Sequence, residues 1–188
     1  VLSGAIGGTL RLPSETISLE GGSGYHDHNW GFWEGVTWHW GQVAHEDLSF
    51  VWGRILPPAD AADPKRVPGF LGVLGPDGPL GFSSSVRIVE ERGESGEPGT
   101  IRVVARGGSL RLEMVLAIDS IVSTRVGGAT TSEGRDLDFL QMRALYRVEG
   151  QIGSRRIAFE APGAAETFVD RSGYHSEGFR PDPERGRP

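Results

Sequence analysis

The residues best equipped for chemistry stand together in Gly24-Tyr25-His26-Asp27-His28-Asn29-Trp30-Gly31, where a phenol, a carboxyl and two imidazoles fall within four positions. The string opens a stretch, 26–52, that holds all five tryptophans (Trp30, Trp33, Trp38, Trp40, Trp52) and four of the five histidines (His26, His28, His39, His45). Such crowding of rare residues points to proton-transfer groups at the edge of an aromatic-walled site. Burial raises a carboxyl pKa and a neighbouring imidazolium lowers it, which is the tuning a proton shuttle needs at neutral pH. Asp27, Tyr25 and His26 are therefore the candidate catalytic groups. His28, Asn29, Trp30, Trp38, Trp40 and Trp52 are the candidate substrate contacts.

Other uses of the same residues compete with that reading. His26-x-His28 would point one way on a strand, with His39 or His45 as a third metal ligand and Asp27 or Glu46 as a carboxylate. No third ligand stands at a telling spacing, so the expectation is no metal and no cofactor. Asp27 and Asn29 beside glycines also suit turn hydrogen bonds, and the tryptophans suit an aromatic core.

The elements that must position these groups read as short alternating strands broken by glycine and proline. In 109–119, Leu110, Leu112, Met114, Leu116 and Ile118 lie opposite Arg111, Glu113 and Asp119; 140–149 alternates in the same way. Period two over ten residues marks a sheet with one dry and one wet face. Weaker runs, among them 36–43, 48–55, 80–90, 101–106, 121–125 and 155–160, bring the count to about ten. Gly75-Pro76-Asp77-Gly78, Gly107-Gly108 and Glu149-Gly150-Gln151 read as hairpin turns. The expected fold is all-β, an antiparallel meander that removes its edges by closing into a barrel, with a sandwich as the competing form. A barrel of this size is filled by its own side chains or holds one small ligand.

Within 36–43, Trp38 and Trp40 share a face with Val36 and Gln42, opposite His39. In the next run Leu48, Phe50 and Trp52 share a face. The three tryptophans are expected to form one apolar wall. Gly41 and Gly53 each follow a tryptophan and mark a bend or a close backbone approach.

The net charge of −6 argues against a nucleic-acid or polybasic membrane surface. There is no cysteine, hence no disulfide, thiolate nucleophile or cysteine zinc site. No apolar run reaches the 18 residues of a transmembrane helix. One domain over 1–178 with a tail over 179–188 is expected. His175, near that tail, is expected to be exposed. The start at Val1-Leu2-Ser3-Gly4, without methionine or signal peptide, reads as a segment of a longer protein.

The Gly-Tyr-His-Asp-His-Asn-Trp-Gly string, followed by Trp38-His39-Trp40-Gly41, resembles the signature of the bacterial carotenoid 1,2-hydratase (hydroxyneurosporene synthase) and AttH-like family. Related lipocalin-like domains occur in fungal Diels–Alderases. The close match covers about residues 21–53. The resemblance implies a lipocalin-like (calycin-type) barrel, one of two in the usual member, so that an upstream second barrel is the implied partner. It also implies acid–base roles for Tyr25 and Asp27. A further active-site tryptophan of the family lies upstream of the motif, and no tryptophan precedes Trp30 here.

The function expected is a lyase or isomerase acting on a small hydrophobic isoprenoid or polyene. Asp27 would protonate an alkene carbon, indole faces would hold the cation, and Tyr25 or His26 would direct water or remove a proton. The alternatives are a non-catalytic carrier or interaction module for hydrophobic ligands, and a pericyclase that works by folding a polyene into shape.

Overall fold

The computed structural model describes residues 4–28, 36–56, 69–93, 96–126 and 137–170. Asn29, Trp30, Trp33, His175 and the expected tail lie outside the described residues. The period-two runs become strands, and among the described residues no helix is long and apolar enough to cross a membrane.

Two short pairs precede the main sheet. In one, β1 (Gly4–Ile6) lies against β4 (Gly22–Gly24); in the other, β2 (Thr9–Arg11) lies against β3 (Thr16–Ser18). The main sheet follows as β5 (Thr37–His45), β6 (Leu48–Leu56), β7 (Gly69–Gly75), β8 (Gly78–Ser83), β9 (Val86–Arg92), β10 (Pro98–Gly107), β11 (Leu110–Val126), β12 (Leu137–Ile152) and β13 (Arg155–Asp170). Its nine strands run in the order β8-β7-β6-β5-β13-β12-β11-β10-β9, and every pair is antiparallel.

The meander is as expected; its closure is not. The first and last strands of the sheet, β5 and β13, do pair, but the successive strands β8 and β9 do not. The sheet is a roll with one open seam. The run 80–90, expected as one strand, breaks there at Ser84-Ser85. Ser83 Oγ accepts the Ser85 N–H at 3.1 Å and donates to the Arg106 carbonyl at 3.2 Å. Local serine–backbone bonds of this kind compete with ladder bonds. Pro79 removes a further donor from β8, and the ladder is irregular between Val73 and Leu74. A short, proline-bearing, bulged strand makes a poor template for pairing.

The roll nevertheless covers its own inner face. A Cβ at Gly81 of β8 would lie 2.5 Å from Leu110 Cδ2, and one at Gly69 of β7 would lie 3.2 Å from Val86 Cβ. Trp52, Tyr146, Phe50, Leu71, Ile101 and Leu110 are among the fully buried side chains that fill this face. Gly150, expected in a turn, lies instead within β12 at φ 139°, pressed against the Arg111 carbonyl; the turn follows at Gly153.

Candidate functional site on the outer face

The hairpin β5–β6 decides where the indoles go. A two-residue turn at Glu46-Asp47, with Glu46 at φ 50°, sets His45 opposite Leu48 and therefore pairs even positions with odd ones. Both strands carry Trp-Gly, so Trp40 faces Gly53 and Gly41 faces Trp52. Each tryptophan lies over the other strand's glycine, and the two lie on opposite faces of the sheet.

On the inner face, a Cβ at Gly41 would overlap the Trp52 ring and lie 2.5 Å from the Tyr146 hydroxyl. On the outer face, a Cβ at Gly53 would lie 3.0 Å from both Trp40 Cε3 and Phe70 Cε1. The close approaches expected at Gly41 and Gly53 are thus present, but the single wall of Trp38, Trp40 and Trp52 is not. Trp52 is core, and Trp38 and Trp40 look outward.

The outer face is aromatic across several strands. Trp38 packs edge-on against Phe168 at 4.6 Å and Phe139 at 5.9 Å. Trp40 packs edge-on against Phe70 at 5.6 Å. Tyr25 also lies beside it, at 6.3 Å. Indoles keep their N–H satisfied when half-buried, and Trp38 Nε1–H donates to Glu166 Oε2 at 3.3 Å. Glu166 stands directly across from Trp40 on β13.

Of these groups, Trp40 and Glu166 act on Tyr25. Its hydroxyl oxygen is buried without a well-aligned hydrogen bond, yet Asp27 lies close enough to act on it. Burial is the largest cause that pushes the phenol well above its ordinary pKa, with Asp27 next and Glu166 after it. Tyr25 is thereby held as a neutral phenol, a donor rather than a base. Asp27, His26 and His28 are exposed residues in the segment between β4 and β5. That segment is not a strand, so the same-face premise for His26 and His28 does not apply.

The four histidines do not gather. His39 faces the core, where its Nε2 lies 3.1 Å from Glu90 Oε2. His45 stacks on Phe159 at 4.3 Å and 5°. Among the described residues, no group of three or more His, Asp or Glu side chains is arranged to hold a metal ion.

Sequence reading missed Glu166, Phe168, Phe139 and Phe70. Glu166 and Phe168 sit two apart at the far end of β13, a run read only as far as residue 160. Carrying the alternation to residue 170 would have placed both on one face. No family model matches this chain, and no curated protein matches it. What it does is therefore read from its own side chains.

Proposed function

We propose that the chain is an acid–base catalyst acting on a carbon–carbon double bond of a hydrophobic isoprenoid or polyene, with its site on the outer face around Tyr25. The observation that carries this reading is a half-buried, neutral phenol, its hydroxyl oxygen shielded from water, set against an indole and flanked by two carboxyl groups, Asp27 and Glu166. The resemblance of 21–53 to the carotenoid 1,2-hydratase family supports the same substrate class.

In a hydration, the exposed Asp27 carboxylate first takes a proton from solvent and then gives it to the less substituted alkene carbon, forming a C–H bond and leaving a tertiary cation. Water adds to the cation, and the proton it loses returns to the carboxylate. Tyr25, unable to ionise near neutrality, donates a hydrogen bond that orients the water or the carboxylate. Trp40 and Trp38 offer ring faces to the cation, worth about 0.5–2 kcal/mol for each well-placed ring. Glu166 fixes the Trp38 ring through its N–H. Loss of a proton from the cation instead of water addition gives isomerisation or cyclisation from the same groups.

The test is turnover of an acyclic carotenoid, dispersed in detergent micelles, in water enriched in ¹⁸O. Wild type is expected to yield a product that carries the label, while Asp27→Asn binds the polyene without converting it. Substrate recovered unchanged from wild type would favour a carrier. Full turnover in Asp27→Asn, together with its loss in Trp40→Ala, would favour a pericyclase.

A further inference from the structure

The outer surface of β10, β11 and β12 carries charges that the Tyr25 site does not use. Ala105, Leu110, Leu112 and Val148 are buried in the core, so the residues that alternate with them point outward. Those residues form rows of direct cross-strand partners. Arg106 of β10 stands opposite Arg111 of β11. Two residues further along β11, about 7 Å away, Glu113 stands opposite Glu149 of β12. Like charges set directly opposite one another destabilise a sheet.

Only the acidic row is relieved. Glu113 is ion-paired with Arg102, and Glu149 with Arg147 at 2.7 Å. Among the described residues no carboxylate pairs with Arg106 or Arg111. Both arginines are exposed, and both line an open depression of about 870 Å³. Gly107, Gly108 and Gly150 border it with backbone alone, and Val104 gives it an apolar wall. Arg87, the cross-strand partner of Val104, and Arg156, the partner of Gln151 beside Arg111, extend the positive charge on either side. On a chain of net charge −6 this is a local reversal of sign, and such a patch draws anions.

We propose that this depression binds a small phosphate monoester, with the phosphate held between the Arg106 and Arg111 guanidiniums. Two planar forks offer more donors than a carboxylate has oxygens to receive, and a phosphate uses both. A monoester carries close to two negative charges at neutral pH. That balances the two unpaired arginines, because Arg102 and Arg147 already neutralise Glu113 and Glu149. A sulfate monoester, with one charge, leaves one arginine uncompensated. The two carboxylates also bar a second anionic group from their side, so an extended polyanion is disfavoured along the strands. The depression is larger than a phosphate, and the organic part of the ester rests against Val104.

The test titrates the whole chain, by calorimetry at fixed ionic strength, with phenyl phosphate, phenyl sulfate and inorganic phosphate. Phenyl phosphate is expected to bind saturably and at least tenfold more tightly than phenyl sulfate, which has the same body and one charge fewer. Its affinity should fall between pH 7.5 and pH 5.5, as the ester takes up a proton with a pKa of about 6. Arg106→Gln and Arg111→Gln are each expected to weaken binding at least tenfold, and Arg87→Gln and Arg156→Gln less than threefold. Without ligand, Arg106→Gln should melt no lower than wild type, since it removes a like-charge contact. The proposal is overturned if phenyl phosphate does not saturate, if phenyl sulfate or inorganic phosphate binds as well, or if a single-stranded oligonucleotide binds more tightly. Equal weakening in all four arginine variants would also overturn it, as that marks general attraction without a site. Should either of the central variants fail to fold, the contrast between phenyl phosphate and phenyl sulfate in wild type still decides.

Discussion

The two faces of β5 carry opposite chemistry from alternate residues of a single strand. Inward, Gly41 and Val43 join a core filled by Trp52, Phe50 and Tyr146, and the His39 imidazole is tied to Glu90. Outward, Trp38 and Trp40 remain half-buried beside Tyr25, Asp27 and Glu166. The same residue type therefore has two meanings in one hairpin. Trp52 is structure; Trp38 and Trp40 are half-buried on the open side of the sheet. An aromatic cluster in sequence becomes a wall only if the register of the hairpin lets it.

That contrast can be broken most readily by stability. Trp52→Ala is expected to cost about 3–5 kcal/mol, as for a large aromatic removed from a packed core, and Trp40→Ala about 1–2 kcal/mol, because its ring is only partly buried. Urea denaturation of the two variants measures the difference, and equal losses would erase the distinction between the faces. Gly41→Ala comes next. Its new methyl group overlaps Trp52 and crowds the Tyr146 hydroxyl, which donates to the Ala164 carbonyl at 2.6 Å. Overpacking of this sort costs about 1–3 kcal/mol. Gly53→Ala, with contacts at 3.0 Å to rings on the open side, should cost less in the same assay.

Acid sharpens the comparison from the inner side. The Glu90 pKa is lowered in the folded chain relative to its ordinary 4.5. The stability this supplies is complete above the unfolded-state pKa and is lost as the pH falls through the folded value. Denaturation midpoints measured from pH 6 to pH 3 should decline, and the decline should be shallower in Glu90→Gln. The smallest stability effect belongs to Tyr25→Phe. Its hydroxyl makes no well-aligned bond, so the change should stay within about 0.5 kcal/mol. Turnover, by contrast, should fall about a hundredfold, the scale on which loss of one positioned hydrogen-bond donor slows a reaction.

Much of this was legible in the sequence, for physical reasons that differ by region. The runs 109–119 and 140–149 announce themselves because one face is dry for their whole length, and both extend further in the structure, as 110–126 and 137–152. Trp-Gly in both strands foretold close packing at Gly41 and Gly53. The faces were misjudged because each strand was read alone, without the parity that the Glu46-Asp47 turn imposes. The seam at Ser84-Ser85 was hidden because its cause is a hydroxyl serving two backbone groups, which leaves no mark on hydropathy. Glu166 and Glu90 reach the sites of Trp38 and His39 from 128 and 51 residues away, and only the rolled sheet brings them there.

Photolabelling puts the outer-face site to its most direct test. An isoprenoid bearing a diazirine, irradiated with the chain and mapped by mass spectrometry, should mark Tyr25, Trp40 and Phe70, and excess unlabelled polyene should suppress the marking. Labels confined to Trp52, Tyr146 and their core neighbours would place the ligand inside the roll and contradict the account.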